Sequence, residues 1–320
     1  MSKLKNIPTL NDIRLTKRMN DEFKYDFTFY EKNNMMASRT TNTLSYNILL
    51  ICHSIEKGMS VENPKFFGEE KIRRIMELTN MISDKEVYAY NIGMSTIKEY
   101  IEFGKKHKFL DNPIYEELSE YIKGKDFKKV PIGAHIVDKK EILKNKNDYH
   151  SILKNRHSVR RYAKKKIPDK LIEEIIELAS NSPSACNRQM IKAYYVKSDE
   201  GRELIKKYGQ GFSTFDTDNA NFFVITFDLG AHHVIGERNQ GYFNAGLFSM
   251  NLVNILHSYE IGACFVQFAN SSQDEEYIKD QLSIPQSERI AVFISFGYYE
   301  DKCTILYSDR KPVKDILKIV

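Results

Sequence analysis

Apolar residues recur at helical spacing through residues 43–123, as in Ile48, Leu49, Cys52 and Ile55 and again in Ile72, Ile75, Met76 and Met81. This stretch predicts four or five helices. Its breaks fall at Gly58, Asn63-Pro64, Asp111-Asn112-Pro113 and Gly124, where turn chemistry stops a helix. A charged, weakly apolar stretch over 138–148, rich in Lys and Asn, then reads as a linker. Beyond it the period changes repeatedly. Helices are expected over 171–179, 203–208, 242–259 and 274–282, and strands over 193–196, 222–227, 263–268 and 290–296. Interleaving of this kind predicts an α/β or α+β sandwich in which helices cover a central sheet.

A chain of 320 residues exceeds the usual size of one domain, so two units are expected: an all-α region over 1–149 and an α+β unit over 150–320. With 42% hydrophobic and 28% charged residues, the composition is that of an ordinary globular protein. The net charge of +5, from 48 basic against 43 acidic residues, is spread along the sequence. The short run Lys164-Lys165-Lys166 has no interleaved aromatics, so no nucleic-acid partner is expected. Cys52, Cys186, Cys264 and Cys303 form no CxxC pair, which argues against a zinc site or a disulfide framework and for a reducing cytoplasm. Residues 1–20 mix charge with scattered apolar positions, so neither a secretory signal nor a membrane partner is expected.

The densest chemistry lies in Arg156-His157-Ser158-Val159-Arg160, followed one helix later by Pro183-Ser184-Ala185-Cys186-Asn187-Arg188-Gln189. The first cluster gathers guanidinium, imidazole and hydroxyl groups, the donors that a phosphomonoester needs, and charge-assisted hydrogen bonds contribute about 1.5–3 kcal/mol each. The second gathers small and amide side chains, which can read a heteroaromatic edge of alternating donors and acceptors. Together they suit a ligand carrying both a phosphate and a polar ring.

These two motifs, with Gly246 and Asn251-Leu252 on a long helix, Ile261-Gly262-Ala263, Phe296-Gly297-Tyr298 and Arg310-x-Pro312, resemble the FMN-dependent nitroreductases in content and order. The resemblance covers about residues 152–320. It implies an α+β nitroreductase-like sandwich with helices around a central mixed sheet, and a homodimer with FMN shared at the interface. Residues 1–149 resemble an N-terminal extension of some nitroreductase-like proteins, chiefly at His53-Ser54-Ile55-Glu56-Lys57-Gly58 and Phe67-Gly68.

The resemblance also implies roles. Arg156 and Arg310 would hold the phosphate, with Ser158 and His157 beside it. Arg160 would favour negative charge on the flavin's N1–C2=O edge. Pro183, Ser184, Ala185, Asn187 and Gln189 would line the ring. Gly262 and Ala263 would approach N5, where the missing side chain at Gly262 leaves access open; from the residues alone, Gly262 equally suits a left-handed helix cap. No protein acid–base group is required. NADH or NADPH would reduce the flavin transiently in a ping-pong cycle, because no GxGxxG fingerprint follows a strand. The expected function is therefore NAD(P)H-dependent reduction of a small-molecule acceptor. A dehalogenase or flavin-fragmenting enzyme on the same scaffold and a non-catalytic flavin-binding assembly or regulatory protein are the alternatives.

Met190-Ile191 and Asn244 depart from the family pattern, the latter where an acidic residue is common. His53, Glu56 and Lys57 share one helical face, read as solvated in preference to a pocket wall. His232-His233 with Glu237 lack further ligands for a metal and read as loop histidines. Cys264 reads as core and not as a nucleophile. The helical extension is expected to serve as a lid or recognition cap.

Overall fold

The computed structural model describes residues 10–34, 40–61, 64–133, 146–212, 217–303 and 313–320. The N-terminal region contains α1 (Leu10–Asn33), α2 (Thr41–Met59), α3 (Glu69–Met81), α4 (Tyr88–His107) and α5 (Ile114–Ile122). Most of the apolar period of 43–123 is buried as expected, with Ile48, Cys52, Ile55, Ile72 and Ile75 in one cluster, but Met81 at the end of α3 is exposed. Most of the expected linker over 138–148 lies outside the described residues, and its last three residues begin α6 (Lys146–Asn155).

Then follow α7 (Asp169–Ala179), β1 (Ile191–Val196), α8 (Asp199–Tyr208), β2 (Asn221–Asp228), α9 (Gln240–Ser258), β3 (Ile261–Val266), α10 (Ser272–Gln281) and β4 (Glu288–Tyr298). The sheet order is β1-β2-β4-β3. Every strand pair in it is antiparallel, which corrects the expected mixed sheet. A helix between two strands permits a parallel crossover but does not impose one, since the chain can also return antiparallel. The parallel component among the described residues is a single bridge, Ser158 to Ala263.

Both sheet faces are covered. Along β2, Phe223 and Ile225 join Phe296 and Ile294 under α7 and α9, while Phe222 and Val224 join Phe293, Ile205 and Ile278 on the other face. The stacked rings of Phe223 and Phe296 lie 4.5 Å apart.

The helical region docks on the end of this sheet. Its cluster includes Met190, Phe227, Leu229 and Ala231. On α2, Tyr46 Oη and Asn42 Nδ2 donate to Asp228 Oδ2 at 3.2 and 3.3 Å. Tyr30 Oη on α1 donates to the Val234 carbonyl at 3.0 Å, and Asp26 pairs with Arg289 at 2.5 Å.

Candidate functional site

The first motif is anchored by its apolar members. Val159 and Tyr162 are buried in the cluster beneath the sheet. The Val159 amide donates to the Ala263 carbonyl at 3.1 Å, and Tyr162 Oη lies 2.8 Å from both the Val159 carbonyl and Ser295 Oγ. The chain therefore runs beside β3 with Arg156, His157, Ser158 and Arg160 half-buried around it, while Arg161 is exposed.

This segment concentrates positive charge. Burial lowers the pKa of His257 at the end of α9, and the nearby Arg156 and His157 lower it further. His257 Nδ1 is 2.8 Å from Tyr299 Oη. Burial raises the Cys264 thiol while Arg160, a hydrogen bond from Ser158 and Arg156 draw it down. Cys264 is thus core, as its sequence context predicts. Arg156 Nε is buried without a hydrogen-bond partner. An orphaned buried donor costs about 1–3 kcal/mol unless a ligand engages it. The orphaned Arg156 Nε, beside the His157 imidazole and the Ser158 hydroxyl, suits the phosphate end of FMN. Arg310, the second expected phosphate ligand, and Pro312 lie outside the described residues.

Gly262 is placed differently from both readings of its sequence. It lies within β3, and the left-handed residue at the helix end is Glu260, with φ 60°. A Cβ on Gly262 would meet Val159 Cβ and Tyr299 Cε1, each at 3.0 Å. Its missing side chain admits the first motif and Tyr299, and does not leave open space for a reductant.

The second motif is a strained turn. Ala185–Asn187 form a short 3-10 segment, and Cys186, Asn187 and Gln189 all have positive φ, at 51°, 52° and 53°. Its rigidity comes from a residue that sequence reasoning passed over. Arg188 is 0% exposed and forks onto Glu237 Oε1 and Oε2 at 2.6 and 2.8 Å, while bonding the carbonyls of Ala185 and Ala231. Burial pushes the Glu237 carboxyl up, but the Arg188 fork and the His233 and Val234 amides prevail and hold it at about 2. Glu237 is thus a clamp for the turn and no metal ligand. No group of three metal-ligating side chains occurs among the described residues. His232, expected to be an ordinary loop histidine, is fully buried: Nδ1 faces the Leu229 carbonyl at 3.3 Å and Nε2 accepts from the Gly241 amide at 3.2 Å.

The clamp leaves Asn187 and Gln189 exposed. Ser184 Oγ accepts from the Gln189 amide at 3.0 Å. The Gln189 side chain bonds Tyr88 at the start of α4, and Glu56 of α2 lies close enough to influence that hydroxyl. His53 and Glu56 form a weak pair at 3.5 Å, and Glu56 also lines a cavity of about 680 Å³ beside α4, so that face is only partly solvated.

A single helix borders both motifs. Asn251 Nδ2 on α9 donates to Ser182 Oγ at 2.8 Å, and Asn244 and Phe248 face Pro183, Ser184 and Gln189 across a cavity of about 150 Å³. The cations stand at His257. Thirteen residues separate Asn244 from His257 on α9, which at 1.5 Å per residue is about 20 Å. The charge cluster and the cavity beside the amide turn are thus held at opposite ends of α9.

Residues 153–298 match the model of the nitroreductase family. An iodotyrosine deiodinase from Hydra vulgaris is 20% identical over 214 residues, covering 59% of this chain and 78% of that protein. An NADPH-dependent oxidoreductase from Staphylococcus saprophyticus is 23% identical over 168 residues, covering 48% of this chain and 65% of that protein. Among solved structures, a nitroreductase family protein from Streptococcus pneumoniae TIGR4 aligns over 54% of this chain and 100% of its own, with 22% identity and a TM-score of 0.45. An FMN-dependent nitroreductase from Clostridium difficile R20291 aligns over 49% of this chain and 91% of its own, with 20% identity and a TM-score of 0.41. Residues 153–298 are a nitroreductase family domain, carried on a chain whose helices α1 to α5 lie outside it.

Proposed function

We propose that this chain is an NAD(P)H-dependent FMN oxidoreductase acting on a small-molecule acceptor, and that it works as a homodimer with each flavin shared between protomers. The observation that carries this reading is the separation along α9. A flavin mononucleotide needs its phosphate and its ring recognised within one pocket. The cavity at the second motif, about 150 Å³, is smaller than the roughly 300 Å³ at which ligand pockets begin. A second copy bringing its amide turn to the first copy's cations would complete the site.

The exposed side of α9 supports such a pairing. Phe243 is 62% exposed and Met250 37%, and together with Leu247 they form a stripe at i, i+4 and i+7. Gly246 sits in that stripe with open space where a Cβ would be, so another backbone can approach closely. A stripe of this kind fits an isologous seam.

Within the site, Arg156 and Arg310 hold the phosphate, with His157 and Ser158 alongside. Arg160 stabilises negative charge at the ring's pyrimidine edge, and Pro183, Ser184, Ala185, Asn187 and Gln189 line the ring. Gly262 and Ala263 serve by fixing the first motif on β3. FMN, when bound, would supply a two-electron carrier that serves reductant and acceptor in turn, the ping-pong order of the proposal. The helices of 1–149 act as a cap on the site, because Tyr88 bonds Gln189 and α2 lies against the 3-10 turn. Under this reading the protein operates in the cytoplasm.

The absorbance spectrum of the purified protein, with chromatographic identification of released cofactor, tests the cofactor. Stopped-flow mixing with NADH or NADPH tests turnover: bleaching of the yellow colour is expected, and a chromophore that stays oxidised contradicts an enzymatic role. Reductive dehalogenation is the second reading, favoured by the deiodinase relative, whose match reaches beyond the family domain. Halide release under anaerobic conditions separates the two.

A further inference from the structure

A cavity of about 680 Å³ lies in the helical cap, apart from both motifs, and its volume is within the range of about 300–1,000 Å³ that small-molecule sites occupy. Ser95, Lys98, Glu99 and Glu102 of α4 form one wall, Glu56 of α2 a second and the segment 129–133 a third. Ser95, Glu99 and Glu102 follow Tyr88 at i+7, i+11 and i+14, so they share the helix face that Tyr88 begins. Tyr88 bonds Gln189, and Ser95 is about 10 Å further along the axis. The cavity therefore neighbours the amide turn and contains none of it.

Burial orders the charges. Glu56 and Glu99 are half-buried, whereas Lys98, Lys129 and Glu102 are exposed and stand at the rim. Glu102 is already paired with Lys105 at 2.6 Å, and Glu56 has only its weak 3.5 Å pair with His53. Glu99 has no hydrogen bond or ion pair among the described residues. Gly133, at φ 102°, carries the chain over it: a Cβ built there would lie 3.9 Å from Glu99 Oε1 and 4.0 Å from the sulfur of buried Met59. The inner charge of the cavity is thus carboxylate, partly withdrawn from water, which favours a cationic ligand.

A buried hydroxyl points to a ligand independently. Ser95 is 4% exposed and its Oγ accepts from the Val130 amide at 2.9 Å. Its own hydrogen meets no acceptor among the described residues, whereas Ser45, Thr79 and Thr96 each give theirs to the carbonyl four residues earlier. Ser95 is left to donate to an oxygen within the cavity. Val130, Pro131 and Ile132 supply apolar surface.

We infer that this cavity binds a small organic ammonium compound, with Glu56 and Glu99 taking the cation, residues 130–132 covering an apolar body and Ser95 donating to an oxygen on that body. The site goes beyond the oxidoreductase reading and does not require bound flavin.

The test is calorimetric titration of the full-length protein with 6-aminohexanamide, which has the ammonium, the apolar chain and a carbonyl oxygen. Hexanamide lacks the ammonium and hexylamine lacks the oxygen; each is expected to bind about tenfold or more weakly. Glu99→Gln should weaken 6-aminohexanamide and hexylamine about tenfold and leave hexanamide unchanged. Ser95→Ala should weaken the two amides and leave hexylamine unchanged. Thermal unfolding without ligand checks that both variants fold, and the ranking of the three compounds on the wild type holds as a test where a variant does not. No saturable binding of 6-aminohexanamide by the wild type, or equal affinity for hexanamide, overturns the inference, as does an equal loss for all three compounds in folded Glu99→Gln.

Discussion

Asn251 donates to Ser182 Oγ across 2.8 Å, and this bond joins the amide turn to α9 six residues before His257 marks the cation cluster. Both half-sites are thereby referred to one rigid element. Six residues of helix advance about 9 Å, and Asn244 stands a further two turns away. A change at either end should alter that half-site without moving the other.

The clamp on the turn can be tested through pH. Glu237 is held at about 2 in the folded protein, below the ordinary 4.5. A carboxylate depressed by its partner contributes stability that is fully present above the ordinary value and is lost as pH falls from about 4.5 toward 2. Glu237→Gln also leaves the fully buried Arg188 uncompensated, at a cost of about 3–5 kcal/mol. Urea unfolding at pH 7 should show this loss, and the gap between wild type and variant should narrow progressively at pH 4 and pH 3.

Gly262→Ala should cost stability and flavin together. The added methyl meets Val159 and Tyr299 at 3.0 Å, and overpacking of this kind costs about 1–3 kcal/mol. Because the Val159 amide is tied to the Ala263 carbonyl, relief of the clash shifts Arg156 to Arg160. Thermal unfolding and FMN titration should move in the same direction. Weakened FMN binding with an unchanged melting temperature would argue against this coupling.

Arg156→Ala should weaken FMN by about 10- to 150-fold, the equivalent of one charge-assisted contact of about 1.5–3 kcal/mol. Riboflavin, which lacks the phosphate, should bind wild type and variant alike. Parallel calorimetric titrations with the two ligands make the comparison, and an equal loss for riboflavin would place Arg156 elsewhere on the flavin.

Much of this architecture was legible in the chain. The strands around Phe222 and Ile290 and the helix through Asn244 were visible because burial imposes a period on apolar residues, and the motif content pointed to the family domain. Strand direction was not, because alternation of helices and strands constrains covering of the sheet and leaves pairing sense open. Helix α1 was missed because its apolar residues are sparse and Phe23 and Phe27 face solvent, at 69% and 67% exposed. The turn geometry was hidden for a different reason: its positive-φ positions are Cys186, Asn187 and Gln189, with no glycine among them to announce it. Arg188 sits between two expected ring ligands, and nothing local marks it as the buried anchor. Its partner Glu237 is 49 residues away and invited a metal reading beside His232 and His233.

The central claim is that one flavin site takes cations from one protomer and amides from the other, and a mixed dimer tests it directly. Arg156→Ala and the double variant Asn187→Ala/Gln189→Ala each damage every site in their own homodimers, so FMN retention should be low. Coexpressed with different affinity tags and purified as a heterodimer, the two chains assemble one doubly damaged site and one intact site. Bound FMN should return to about half the wild-type content per dimer, with the affinity of the wild type. A heterodimer that holds no more FMN than its parent homodimers would place both half-sites within a single chain and contradict the account.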